Sequence, residues 1–109
     1  MEKTFNLNEF KTNSKSRVFS GRDRGEIARA KLDLDHEDNL TEDIVTIVFP
    51  DDTISLNSSF FLGLFGKSVR KLGEQGFEKK YQFRCSESIL KSVKDGIQRA
   101  LKTSGPLDF

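Results

Sequence analysis

Ile44-Val45-Thr46-Ile47-Val48-Phe49 is a β-branched run stopped by Pro50-Asp51-Asp52. Its apolarity is continuous rather than alternating, which suits a strand covered on both faces, as in a parallel or mixed sheet. Helical patterns stand on either side. Downstream, Phe61, Leu62, Phe65, Val69 and Leu72 make one apolar face of a helix from about Ser58 to Leu72, with Gly73 at the left-handed cap position. Gly63 and Gly66 inside it each cost about 1 kcal/mol in propensity relative to Ala. Either a neighbour packs unusually close there, or that end of the helix moves. Upstream, Ser20-Gly21-Arg22-Asp23 has the form of a capping box with Ser20 as N-cap. A short helix follows through Ile27, Ala28, Ala30 and Lys31 to Leu32, and the acidic stretch from Asp33 to Asp43 reads as a loop.

Phe77, Lys79, Tyr81 and Phe83 alternate with Glu78, Lys80 and Gln82, predicting a half-buried strand over 77–83. Ile89, Leu90, Val93, Ile97, Ala100 and Leu101 recur at helical spacing after Ser86-Glu87, and Gly105-Pro106 forbids continuation. Thr4–Leu7 and Arg17–Phe19 are further strand candidates. The expected order is β-β-α-β-α-β-α, an α/β fold with about four strands in a mixed sheet and helices packed on it. The strands 44–49 and 77–83 lie parallel, joined by a right-handed crossover. One domain spans 1–104, with a tail over 105–109.

A chain of 109 residues buries roughly 60–70% of its unfolded surface, enough for a real core. Eighteen Lys and Arg against seventeen Asp and Glu leave a net charge of +1, so no global field dictates a partner. The distribution is uneven. Residues 11–31 carry +5, residues 33–52 carry −8 with no Lys or Arg, and residues 65–84 carry +4. Such blocks either orient a partner protein or form solvated loops and helix faces. The single Cys85 excludes an intrachain disulfide, and with one His (His36) the common His/Cys zinc clusters are ruled out and a Ser-His-Asp or Cys-His triad is hard to build. No metal or cofactor is expected. Phe60–Gly66, the longest apolar run, is too short to span a bilayer, and Met1–Asn6 lacks a signal-peptide core, so the expected location is cytoplasmic.

In open α/β sheets ligands collect beyond the carboxyl ends of the strands, here the 50–57 loop and the helix start Asn57-Ser58-Ser59. Asn57 or Ser58 caps free backbone N–H groups, and the helix dipole favours an anion or a phosphoryl group on Ser58 or Ser59. Asn and Ser are also the commonest N-caps, and by physics alone plain capping is the simpler account of them. Gly21-Arg22-Asp23-Arg24-Gly25 sets Arg22 and Arg24 near a helix start, suited to a phosphate or a partner carboxylate, without the spacing of a dinucleotide or phosphate loop. Lys67, Arg70 and Lys71 give the 58–72 helix a basic side. Cys85, between a strand and a helix, has no identified base.

The run Ser58-Ser59-Phe60-Phe61-Leu62-Gly63-Leu64-Phe65-Gly66-Lys67-Ser68-Val69-Arg70, after an apolar strand and a short acidic loop, resembles the STAS domain of bacterial anti-sigma factor antagonists and sulfate transporters. With the upstream Ser20-Gly21-Arg22-Asp23-Arg24-Gly25 it looks most like uncharacterised bacterial STAS-like proteins. The likeness covers most of residues 17–102 in element order and is motif-specific only over about 54–70. It implies a non-enzymatic interaction module. In the antagonist branch a histidine-kinase-like ATPase phosphorylates the first Ser of the motif and is thereby released. By position Ser58 becomes the acceptor, Ser59 the second Ser and Asn57 the family Asp. Asn57 replaces that acidic residue, and Phe60 replaces a Gly that lets the partner approach. The resemblance thus implies a partner surface made of the 50–57 loop, the start of the 58–72 helix and its basic side. An alternative is a nucleic-acid-binding accessory protein using the basic 65–84 block, opposed by the −8 block.

Overall fold

The computed structural model describes residues 2–11 and 17–102. The tail over 105–109 therefore lies outside the described residues. Strand β1 (Glu2–Asn6) leads through a 3-10 turn at Asn8–Phe10 to β2 (Val18–Phe19). Helices α1 (Arg22–Lys31) and α2 (Leu34–Glu37) follow, then β3 (Ile44–Val48) and β4 (Ser55–Leu56). Helix α3 (Ser58–Lys80), β5 (Tyr81–Arg84) and α4 (Glu87–Lys102) complete the order. Among the described residues no helix is long and apolar enough to cross a membrane.

The α/β class and the parallel pairing of the central strand with the strand after its helix are as expected. β3 lies between β1 and β5, parallel to both, with Thr4, Thr46 and Gln82 in one row. The four strands anticipated in one mixed sheet are distributed differently. β2 pairs with β4, a two-residue strand the sequence does not announce, in a separate parallel sheet. Among the described residues, β2 and β4 pair with each other and with no strand of the larger sheet.

α3 forms the middle of the helical layer, with α1 on one flank and α4 on the other. At Gly73 the backbone adopts φ 77° and ψ 166°, so the first helical segment ends where the glycine anticipated it. The chain then resumes helix instead of entering a strand, which corrects the 77–83 reading. Phe77 and Tyr81 are four residues apart, a helical as well as an alternating interval, and their rings sit 5.1 Å apart. Phe77 also packs against Phe65 at 5.3 Å, and all three rings are buried.

The start of α1 is corrected too. Gly21, at φ 94° and ψ 124°, occupies the N-cap position and makes no side-chain cap, so Ser20 does not close a capping box. Gly25 N–H donates to Gly21 O instead, at 3.1 Å. Gly25 faces Gly63. A Cβ on Gly25 would overlap the Phe60 carbonyl oxygen, and one on Gly63 would overlap that of Arg22. Close packing, one of the two readings of Gly63, is what the helix crossing requires.

Candidate interaction surface and buried charge network

Asn57 is the N-cap of α3. Its Oδ1 accepts the Ser59 N–H at 2.7 Å, and its own N–H donates to Phe19 O at 2.8 Å, tying the helix start to β2. Ser58 is half-buried and Ser59 exposed. Ser59, Leu62, Gly63, Lys67 and Arg70 recur at three- and four-residue steps and share one face of α3. Below Ser59 that face opens into a groove of about 220 Å³ where α1 crosses α3, with Arg22, Glu26, Arg29, Asp35, Lys67 and Arg70 on its walls. Three of the basic residues singled out in the sequence, Arg22, Lys67 and Arg70, thus converge.

Two others do not. Arg24 turns away and donates to Lys11 O at 3.2 Å. Lys71 is not part of the groove wall, and its Nζ donates to Asn39 Oδ1, just past the end of α2. Arg70 also reaches Ala100 O at 3.4 Å, where its cation meets the carbonyl end of α4. The basic 65–84 block is therefore no single surface, and Lys80 leaves it altogether. Its Nζ is buried and donates to Glu37 Oε2 at 3.1 Å, Leu40 O at 2.7 Å and Asp43 O at 2.9 Å.

Sequence reasoning missed what the acidic stretch does. Asp33, at φ 53°, bends the chain after α1, as Asp tolerates better than most residues. The 33–43 segment then folds back as α2 and a turn, burying Glu37 and Asp38. Asp38 is 1% exposed. Its Oδ2 accepts from Arg29 Nη2 at 2.9 Å and Ser68 Oγ at 2.7 Å, and its Oδ1 from Tyr81 Oη at 2.6 Å. Arg29, buried on α1, also donates to Asp35 Oδ1 at 3.0 and 2.8 Å, Leu64 O at 2.9 Å and Ser68 Oγ at 2.9 Å. Burial, together with the Asp38 carboxylate, pushes the Tyr81 hydroxyl above its ordinary range.

Burial alone would raise the Glu37 pKa, but Lys3 Nζ at 2.8 Å and Lys80 hold the carboxylate below its usual range. Among the described residues, every buried side-chain polar atom has a partner. The network therefore acts as a set of internal ties between α1, α2, α3, β1 and β5. Two signals for it exist in the sequence. Ser68 interrupts the apolar face of α3, and the −8 block lies between two basic blocks in chain order.

Cys85 is half-buried, and burial raises its thiol pKa, so its surroundings do not activate it as a thiolate. No protein-family model, curated protein or solved structure matches this chain.

Proposed function

We propose that the chain is a STAS-like, non-enzymatic protein-interaction module of the bacterial cytoplasm. Its partner surface is the start of α3 and the α1–α3 groove. The observation that carries this reading is the convergence of Arg22, Lys67 and Arg70 around a groove on the same face of α3 as the exposed Ser59. The groove also carries Glu26 and Asp35, and its surplus of cations suits an acidic segment of a partner protein. The STAS-like resemblance suggests the partner class, a histidine-kinase-like ATPase. A phosphoryl group on Ser58 or Ser59 would stand at the positive end of the α3 dipole, and one on Ser59 on the helix face that leads to these cations. It would compete with an acidic segment for them, which gives a route to partner release.

The test begins with capture of the full chain from its native host and mass spectrometry of co-purifying proteins, followed by titration of the captured partner. Lys67→Glu is expected to weaken binding at least ~10-fold, about 1.4 kcal/mol. Ser59→Asp and Ser58→Asp are expected to shift affinity with folding stability unchanged within ~0.5 kcal/mol. Affinity indifferent to all three substitutions would remove this surface. Recovery of nucleic acid alone, lost at moderate salt, would replace the module with a nucleic-acid binder.

A further inference from the structure

The register of the larger sheet leaves one of its faces open. Lys3, Val45 and Tyr81 form one row, Phe5, Ile47 and Phe83 the next, and both look toward the helical layer. The alternate positions point the other way. On β3 these are Ile44, Thr46 and Val48. Ile44 is 40% exposed, and Thr46 and Val48 are half-buried. The outward residues of the flanking strands, Glu2 and Thr4 on β1 and Gln82 and Arg84 on β5, are exposed. Among the described residues no element lies over this face. Parallel sheets are found almost only with both faces covered, and the unbroken apolarity of 44–49 is the signature of a strand so buried.

The occupant can be read from the charges. Glu2 sits one strand and two residues from Thr46 in one direction, and Arg84 sits one strand and two residues from it in the other. The opposite charges stand at diagonal corners about a neutral centre. A purely acidic or purely basic partner would satisfy one corner and oppose the other. A second copy, rotated by a two-fold axis through Thr46 perpendicular to that diagonal, satisfies both. Glu2 of each copy then meets Arg84 of the other, and Ile44 and Val48 are covered. With strands ~4.8 Å apart and ~3.3 Å per residue, this rotation crosses the two sheets at roughly a right angle, one of the two usual sheet-packing angles.

We propose that this open face is a self-complementary docking surface at which two copies of the chain pair about a two-fold axis. The face measures on the order of 15 Å by 17 Å. That is well under the ~800 Å² per partner of a standard interface, so the pairing is weak, with a Kd on the order of 100 µM. It lies on the side of the sheet away from the helices and leaves the α1–α3 groove free.

Sedimentation of the full chain from about 10 µM to about 1 mM brackets that Kd and tests the proposal. A monomer that becomes a dimer across this range is expected. Glu2→Arg and Arg84→Glu should each reduce association at least ~5-fold, because each puts like charges at both corners of the pair. An equimolar mixture of the two variants should dimerise again, since every corner of the mixed pair then joins Arg to Glu. Both positions are exposed, and unchanged thermal melts will show that folding is intact. A chain monomeric at about 1 mM, or a dimer indifferent to both reversals, overturns the proposal. So does a monomer that dimerises only after removal of residues 103–109, which would assign the face to the chain's own C-terminal segment.

Discussion

At the scale of single residues, Asp38 shows how little a side chain's type says about its job. It is one of eight acidic residues between positions 33 and 52, and nothing in the local pattern separates it from Asp35 three positions earlier. Both pair with Arg29, yet the Asp38 side chain is 0% exposed and that of Asp35 is 79% exposed. The consequences should differ accordingly. Asp38→Asn leaves Arg29 buried without its enclosed counter-charge and is expected to cost about 3–5 kcal/mol. Asp35→Asn removes a solvent-screened partner and should cost under about 1 kcal/mol. Tyr81→Phe, which deletes one buried donor to Asp38, falls between them at about 1–3 kcal/mol. Urea denaturation of the three variants at neutral pH checks the order. A cost for Asp38→Asn no larger than that for Asp35→Asn would mean that the network is not buried in solution.

At the scale of elements, the decisive contact is the crossing of α1 over α3. From propensity alone Gly63 and Gly66 are equivalent, two helix-weakening residues three positions apart. The structure separates them. A Cβ at Gly63 would meet the backbone of Arg22, and one at Gly25 the backbone of Phe60, neither of which can retreat without parting the helices. A Cβ at Gly66 would meet only the end of the Arg70 side chain, at 3.4 Å. Gly25→Ala and Gly63→Ala are therefore expected to destabilise by at least about 2 kcal/mol through overpacking. Gly66→Ala should be neutral, or stabilising by up to about 1 kcal/mol from helix propensity. Thermal unfolding of the three variants distinguishes them, and a stabilising Gly63→Ala would contradict the close crossing.

The existence of α1, α3 and α4 was legible because each carries its own period of apolar residues, and that of β3 because its β-branched run is continuous. The second half of α3 was not, because Phe77 and Tyr81 fit a helix and a strand equally. Tyr81 is itself the first residue of β5, and only the packing of Phe77 against Phe65, Tyr81 and Phe83 sets Phe77 on the helix.

At the scale of the whole molecule, each charge block sends members inward, and Arg29, Glu37, Asp38 and Lys80 are buried. Lys3 and Lys80 converge on Glu37, Lys3 also reaches Asp43 at 3.2 Å, and Arg29 joins Asp35 and Asp38. A pH dependence follows. Glu37, Asp35 and Asp43 all hold pKa values below their ordinary ones, so they bind protons more weakly folded than unfolded. The stability they contribute is present above the ordinary Glu value of 4.5 and is lost as pH falls below it through the folded values. Lys3 acts in the opposite sense, since its raised pKa places the loss of its contribution above 10.5. Unfolding free energy should thus be level near neutrality and fall on acidification below about pH 4.5. Glu37→Gln should lower the neutral value and flatten the acid limb, which a series of denaturant midpoints against pH will show. An unchanged acid limb would mean that Glu37 is no better paired folded than unfolded.

The sequence by itself determined the α/β class, the parallel relation of β3 and β5, the long helix between them and the break at Gly73. All of these rest on local period or on φ preferences that neighbouring residues impose on one another. Tertiary structure alone decided which of the equivalent charges are buried, which glycine marks a helix crossing, which basic residues share a groove and which sheet face stays open. The physical reason is range. Apolar periodicity and turn chemistry act within a few residues along the chain. The desolvation of Asp38 depends instead on side chains 9, 30 and 43 positions away in sequence, brought within 2.6–2.9 Å only once the helices cross.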